Sequence, residues 1–486
     1  METTFPDIPL YQGWGRPLRT ESTVRGLELI QGKLPEGLTG AWYRAGPDRQ
    51  YAPMLGDDVF IDGEGMAHMF RFKANGQVDY VSRWVRTERY KRQEDAGRSL
   101  FGRYRNRYTN HESVAGVSNG AANTTAIFHA GKLLVLKEDD LPYELDPDTL
   151  QTRGQTDYDG QVKAVSMTAH PKVDTVRDAL YTFSYQAKGD ATTDIVFYEI
   201  DGDGRVVDEI WFNMPYAACV HDFAVTEDYA VFPFFPLITD LDHIKAGGTY
   251  YQWNPDEETV VAVVKRGGTA DDIKWFRGPA TSAGHMMNAY QDGTKVHLDL
   301  CLYEGNCFPF FKTPEGVETE PVPPILTRMT FDLARNDEGF DKAPVMPVPC
   351  EMPRTDERYQ GRPYRNGFAI VRNPQDGTSG IGHVDVTTGA LKMWKPGEAA
   401  GVQEPQFVPR TPDSPEGDGW LLVIVNRLEE GHSDLAVLDA QDIEAGPVAL
   451  FRMPVRVRST FHGMWTPEET LQSGHYSQGR PQDHAA

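Results

Sequence analysis

Short strand–turn–strand units recur along nearly the whole chain, and helix signals are scarce. GKLLVLKEDDLPYELDPDTL reads as strand, turn, strand and turn. The cadence returns in TDIVFYEIDGDGRVVDEIWF, HDFAVTEDYAVFPFF, KVHLDLCLYEG, GFAIVRNPQDGTSGIGHVDVTTGALKMW and GWLLVIVNRLEEGHSDLAVLDA. Several units end in Asp-x-x-Thr-Gly or Asp-Gly-Asp-Gly, which supply the positive-φ positions of tight hairpins. Antiparallel units of about 40–50 residues predict an all-β fold, a β-propeller, with a pair of sandwiches as the alternative. The repeat is too degenerate to count blades. Residues 1–486 are expected to form one such domain, with the tail after about residue 468 peripheral. Residues 84–112 read as a helix followed by an extended arm. The stretches 310–325 and 405–418 read as proline-rich loops.

Composition narrows the function. Lys and Arg number 48 against 71 Asp and Glu, a net charge of −23. Nucleic acid is therefore not an expected partner, because phosphate contacts need clustered cations. The four cysteines, Cys219, Cys301, Cys307 and Cys350, form no CxxC pair, which excludes zinc ribbons and thioredoxin-like sites. So few cysteines, no signal-peptide pattern and no long apolar run point to a soluble cytoplasmic protein without a transmembrane segment. A homodimer is compatible with all of this.

A propeller has an axis, and the inner strand of each blade points residues at it. Four histidines in short apolar settings begin or end candidate inner strands: His170 (SMTAHPKVD), His221 (AACVHDFAV), His285 (TSAGHMMNAY) and His462 (STFHGMW). Imidazole is a common ligand for iron, copper, zinc and nickel. By spacing alone the four are compatible with a shared ion and also with four ordinary structural histidines. A metal-free propeller acting as a binding module stays open at this point.

Longer motifs carry a resemblance. LPEGLTGAWYRAGPDRQY (34–51), IDGEGMAHMFRF (61–72) and NTTAIFHAGKLLVLKEDDLPYELDPDTLQTRG (123–154) are similar to blocks of the carotenoid cleavage oxygenases. The four histidine contexts follow in family order, so the resemblance covers nearly the whole chain. It implies a seven-bladed propeller with loops and short helices capping one face over one non-haem Fe(II). It implies His170, His221, His285 and His462 as the ligands. It places Glu138, Glu351 and Glu404 behind them, as acceptors for the outer ring N–H groups. From the residues themselves, Glu138 beside two aspartates reads more readily as a solvated surface group than Glu351 does.

One position departs from the carotenoid-cleaving pattern. Many of those enzymes carry an aromatic residue immediately before the first of these glutamates, and here Lys137 stands there. A buried unpaired ammonium is costly beside an apolar polyene, yet it suits an ionisable phenol. Lys137 and the tyrosine-rich FGRYRNRY segment resemble the stilbene-cleaving branch, the lignostilbene dioxygenases. That likeness implies Tyr104 and Lys137 as catalytic contacts to the 4-hydroxyl of a stilbene. Phe60 is expected to stack on its ring. The implied reaction is cleavage of the central C=C by O2 to two aromatic aldehydes such as vanillin. An apocarotenoid cleaver with the same metal site is the alternative within the family.

Overall fold

The computed structural model describes residues 4–56, 59–373 and 377–477. It contains seven antiparallel blades arranged in chain order. The widest sheet, of seven strands, is two blades sharing one long strand, Asp341–Thr355. The first part of that strand pairs with Ile325–Asp332 and its last residues pair with Asn366–Arg372. The seven inner strands are Thr125–His129, Lys172–Asp174, Ala224–Val225, Ser282–Asp292, the end of Asp341–Thr355, Gln406–Pro409 and Gly463–Pro467.

Apolar layers between blades hold the ring together. In the strand Asp194–Asp201, Val196, Tyr198 and Ile200 face the preceding blade and its Leu133 and Leu134. Ile195 and Phe197 face the following blade and its Ala230 and Phe232. Side chains alternate across a strand, so a middle strand buried on both faces becomes a near-continuous apolar run. TVVAVVK at Thr259–Lys265 is another. Each such Val, Ile or Phe stabilises the fold by about 1.5–3 kcal/mol when fully buried. The turns are of the anticipated kind: Gly204 and Gly389 lie at φ +81° and +74°.

Two long-range pairings close the ring. Near the N-terminus, Glu28–Gly32 adds to the outer edge of Pro447–Arg452. The last strand, Gly463–Pro467, pairs with Gly40–Asp48 and forms the inner strand of the blade that Gly40–Asp48 continues. Gly463 is required there, because a Cβ would lie 1.9 Å from the Tyr43 carbonyl oxygen.

The irregular segments cap one face. The helix Glu88–Ala96 starts at an N-capping Thr87 and ends at the left-handed Gly97. The arm beyond it contains only short 3-10 turns, and Asn106 anchors it to the carbonyls of Ile244 and Gly248. Residues 304–324 form a loop, as expected, whereas Gln406–Pro409 within the stretch 405–418 is a strand. The tail is less peripheral than the sequence suggested: Glu468–Ser473 is helical, and Tyr476 is buried with its hydroxyl on the Met464 sulfur. Residues 478–486 lie outside the described residues. All four cysteines are free thiols. Among the described residues no helix is long and apolar enough to cross a membrane.

Closure at Gly463 can be tested directly. Gly463→Ala is expected to destabilise by about 1–3 kcal/mol or more, since the backbone partner cannot retreat. Thermal unfolding of the variant measures this, and an unchanged midpoint would contradict it.

Candidate metal centre and adjoining cavity

The axial starts of the inner strands carry the chemistry. His170, His221 and His462 stand just before the inner strands of their blades. Pro171 restricts His170 to extended backbone. His285 differs slightly, lying inside Ser282–Asp292 where the register slips between Ala283 and Met286. Such a bulge re-aims a side chain. Glu404 precedes the inner strand Gln406–Pro409, and Glu351 lies in the inner portion of Asp341–Thr355. The residue after Glu351, Met352, is held at φ +55°, another local irregularity at the axis.

The four rings meet. Ring centroids of His170 lie 4.5 Å from His221, 5.2 Å from His285 and 4.5 Å from His462. Nitrogens of His170, His285 and His462 fall within 4.8 Å of one another. His221 joins them through His170, Nε2 to Nε2 at 3.1 Å. That separation matches two imidazole nitrogens at right angles around a first-row ion, about 3 Å apart for bonds of ~2.1 Å.

Carboxylates behind the rings set which nitrogen faces inward. His285 Nδ1 donates to Glu351 at 2.7 Å and His462 Nδ1 donates to Glu404 at 2.8 Å. Each Nε2 is thereby left with a lone pair turned to the centre. The Nε2 of His285 is buried and has no hydrogen-bond partner, an arrangement that a cation would satisfy. His221 Nδ1 lies 3.6 Å from Glu138, longer than a hydrogen bond. The sequence reading of Glu138 as the more exposed glutamate is reversed. Its side chain is 5% exposed against 23% for Glu351. The turn in which the Asp140 N–H reaches the Lys137 carbonyl points Glu138 inward.

Burial, then the three neighbouring imidazoles, push the His170 ring well below its ordinary pKa. Burial also outweighs Glu404 in bringing His462 down to about 4. Both rings are therefore neutral and available as ligands at physiological pH. For His285 burial acts the same way, but Glu351, Asp222 and Glu404 together outweigh it and the pKa rises. Burial opposes ionisation of Glu138 and Glu404, yet His221 with Arg105 and Lys137 at the one, and His462 with Arg354 and Arg44 at the other, outweigh it, and both carboxyls sit at about 2.

Residues that sequence reasoning did not single out brace this centre. Asp222 links three histidine segments: it follows His221, accepts from Lys172 Nζ at 2.6 Å and accepts from the Met286 N–H at 2.8 Å. Its acidic side chain inside the apolar run VHDF was the available signal. Arg44, fully buried, donates to Glu404 at 3.3 Å, Thr460 at 2.6 Å and the Phe461 carbonyl at 2.7 Å. It lay inside the quoted motif AWYRAG without a role. Arg105 stands inside the quoted FGRYRNRY segment, again without a role. It is buried at φ +58°, donates to the hydroxyls of Tyr185 and Tyr251, and sits 3.7 Å from Glu138.

A cavity of about 600 Å³ opens on this cluster from the capped face. His221, His285 and His462 form its floor, with Phe308, Phe311 and Phe461 among its apolar walls. Tyr104, Lys137 and Phe60 all line it. The Lys137 ammonium lies 4.8 Å from the centroid of the Tyr104 ring and is 3% exposed, so it is not the solvated lysine its sequence context allowed. Burial holds the Tyr104 hydroxyl well above the ordinary phenol pKa, so it remains a proton-bearing donor. Phe60 is half exposed at the rim, edge-on to Phe310 and Phe461. The segment 306–312 contributes Phe308 and Phe311 to this lining, and the segment 231–240 contributes Leu237.

Residues 15–467 match the family described as RPE65, retinal pigment epithelial membrane protein. The chain belongs to this family, that of the carotenoid cleavage oxygenases. Isoeugenol monooxygenase of Pseudomonas nitroreducens is 41% identical over 463 residues, covering 93% of this chain and 96% of the relative. Lignostilbene-alpha,beta-dioxygenase isozyme III of Sphingomonas paucimobilis is 40% identical over 485 residues, covering 96% and 99%. The crystal structure of Pseudomonas brassicacearum lignostilbene dioxygenase superposes with a TM-score of 0.93 at 42% identity, covering 96% of this chain and 99% of that one. The seven blades described above are thus the propeller of this oxygenase family.

If the four imidazoles hold one ion, each single His→Ala at 170, 221, 285 or 462 is expected to lower bound iron. Glu351→Gln is expected to weaken metal affinity about 10–100-fold, because its hydrogen bond orients His285. Elemental analysis and anaerobic Fe(II) titration read both effects. Full occupancy in any one histidine variant would remove that residue from the set.

Proposed function

We propose that this chain is a non-haem Fe(II) dioxygenase that cleaves the central C=C of 4-hydroxystilbenes with O2 to two aromatic aldehydes. His170, His221, His285 and His462 would hold the ion, with Glu138, Glu351 and Glu404 behind them. Bound there by neutral imidazoles, Fe(II) would supply the activation of O2.

The observation that carries the substrate class is the buried Lys137 ammonium beside Tyr104, in an otherwise apolar cavity over the histidines. Lys137 is already paired with Asp139, and its remaining N–H groups find an acceptor in a phenol but none in an apolar polyene. Lys137 and Tyr104 hold the 4-hydroxyl: the ammonium favours the phenolate and the neutral tyrosine donates a hydrogen bond to it. Phe60 covers the ring at the rim, and Phe308, Phe311 and Phe461 keep water from the rest. Anchored in this way, the phenolate pushes electron density through the conjugated system toward the alkene above the histidines. The stoichiometry is one alkene plus O2 to two carbonyls.

The relatives support a phenolic alkene over an apocarotenoid. Isoeugenol, resveratrol and lignostilbene all appear in the names of relatives 35–41% identical to this chain, and all are phenols with a conjugated C=C. A relative named carotenoid 9,10(9',10')-cleavage dioxygenase, from Crocus sativus, is 31% identical.

Aerobic incubation of the Fe(II)-loaded protein with a 4-hydroxystilbene is expected to release two aromatic aldehydes, identified by mass. Its 4-methoxy ether and an apocarotenal are expected to be poor substrates. Lys137→Met is expected to reduce kcat/KM on the phenol about 100-fold or more with iron content unchanged. Preferred cleavage of the apocarotenal, or normal turnover by the variant, would contradict the proposal.

A further inference from the structure

Lys137 does not stand alone. Its ammonium contacts the carboxylate of Asp139, and the two side chains are 3% and 7% exposed. The pair spans a wall. Lys137 lines the apolar cavity above the histidines, whereas Asp139 lines a separate polar chamber with Arg105, Arg107, Ser118, Asn119 and Asp190. The turn closed by the Asp140 N–H on the Lys137 carbonyl fixes this arrangement.

Asp139 is also incompletely satisfied. Its Oδ1 is buried with no hydrogen-bond partner. The adjacent Asp140 differs, receiving bonds from Ser118, Gln155 and the Leu141 N–H. A buried carboxylate oxygen left open is expensive unless something else uses it.

The phenol needs such a group. A tyrosine-like phenol has a pKa of about 10, so only ~0.1% is ionised near pH 7. A charged lysine stabilises the phenolate but has no lone pair with which to take its proton. Tyr104 already carries one, and burial keeps it there. The other charged groups around the pair are Arg105, Glu138 and Asp140 on its own side of the cap, with Asp62 facing Lys137 and Arg107 and Asp190 at the chamber. Glu138 is engaged by His221 and Arg105, and Asp62 by Arg49 and Arg89.

We propose, building on the phenolic reading of the cavity, that Asp139 is a positioning residue that accepts the substrate's phenolic proton through Lys137. One N–H of the ammonium breaks as an O–H forms on Asp139. The phenolic O–H breaks as an N–H forms on Lys137. Lysine ends charged as it began, Asp139 is neutral, and the substrate is a phenolate against the ammonium. The proton on Asp139 then leaves through the polar chamber, not past the substrate.

The test uses the full-length Fe(II)-loaded enzyme, Asp139→Asn, and 4-hydroxystilbenes whose ring substituents vary the phenol acidity. For the wild type, kcat/KM is expected to depend weakly on phenol acidity near neutral pH. In Asp139→Asn it is expected to fall about 100-fold or more. It should then recover about tenfold per pH unit up to the phenol's own pKa, with the more acidic phenols rescued first. Asp139→Glu is expected to restore the wild-type profile, and iron content should not change in either variant. A profile parallel to the wild type at every phenol acidity, whether at full or uniformly reduced rate, would overturn the role of Asp139. A wild type inactive on the whole phenol series would instead overturn the phenolic reading, and this inference with it.

Discussion

Four imidazoles crowded at one point on the axis are the constraint on which the rest of this structure depends. Two ring nitrogens at 3.1 Å and a third buried without a partner are unfavourable unless a cation or shared proton lies among them. The chain holds them there by bracing from behind. Glu351 and Glu404 fix ring orientation, Arg44 pins Glu404, and Asp222 ties three histidine segments together. The ring of blades makes that bracing rigid. His462 reaches the axis only because the last strand pairs with Gly40–Asp48, some four hundred residues earlier in the chain.

The two sides of the cavity divide the work. Its floor is built from strand starts, the most constrained backbone in a propeller, and carries the proposed metal ligands. Its roof is built from loops and from the arm around Tyr104, which are free to vary without disturbing the blades. On the proposed reading, a single family can keep one metal site and change substrates through roof residues such as Lys137 and Phe60. The names of the relatives, which range from carotenoid to stilbene and isoeugenol oxygenases, fit that division.

Much of the frame was legible in the sequence, for a physical reason. Blades bury both faces of their middle strands, so runs such as TVVAVVK and WLLVIVN stand out, and Gly204 and Gly389 mark the hairpins between strands. The histidines could be singled out by their apolar settings, but their convergence depends on closure of the ring, which no local pattern records. By its own neighbours Glu138 read as the more exposed glutamate, because two adjacent aspartates suggest solvent, while the turn at Lys137–Asp140 points it inward. Arg44, Arg105 and Asp222 were missed for a related reason. A buried charge is recognisable only by its partners, and theirs lie tens to hundreds of residues away.

The central claim is that one iron ion sits among His170, His221, His285 and His462. Crystals of the Fe(II)-loaded protein, measured on both sides of the iron absorption edge, test it most directly. The expected result is a single anomalous peak within bonding distance of one nitrogen from each of the four rings, with no protein carboxylate bonded to it. A peak elsewhere, a peak bonded to fewer than four of these histidines, or no peak in fully loaded protein would contradict it.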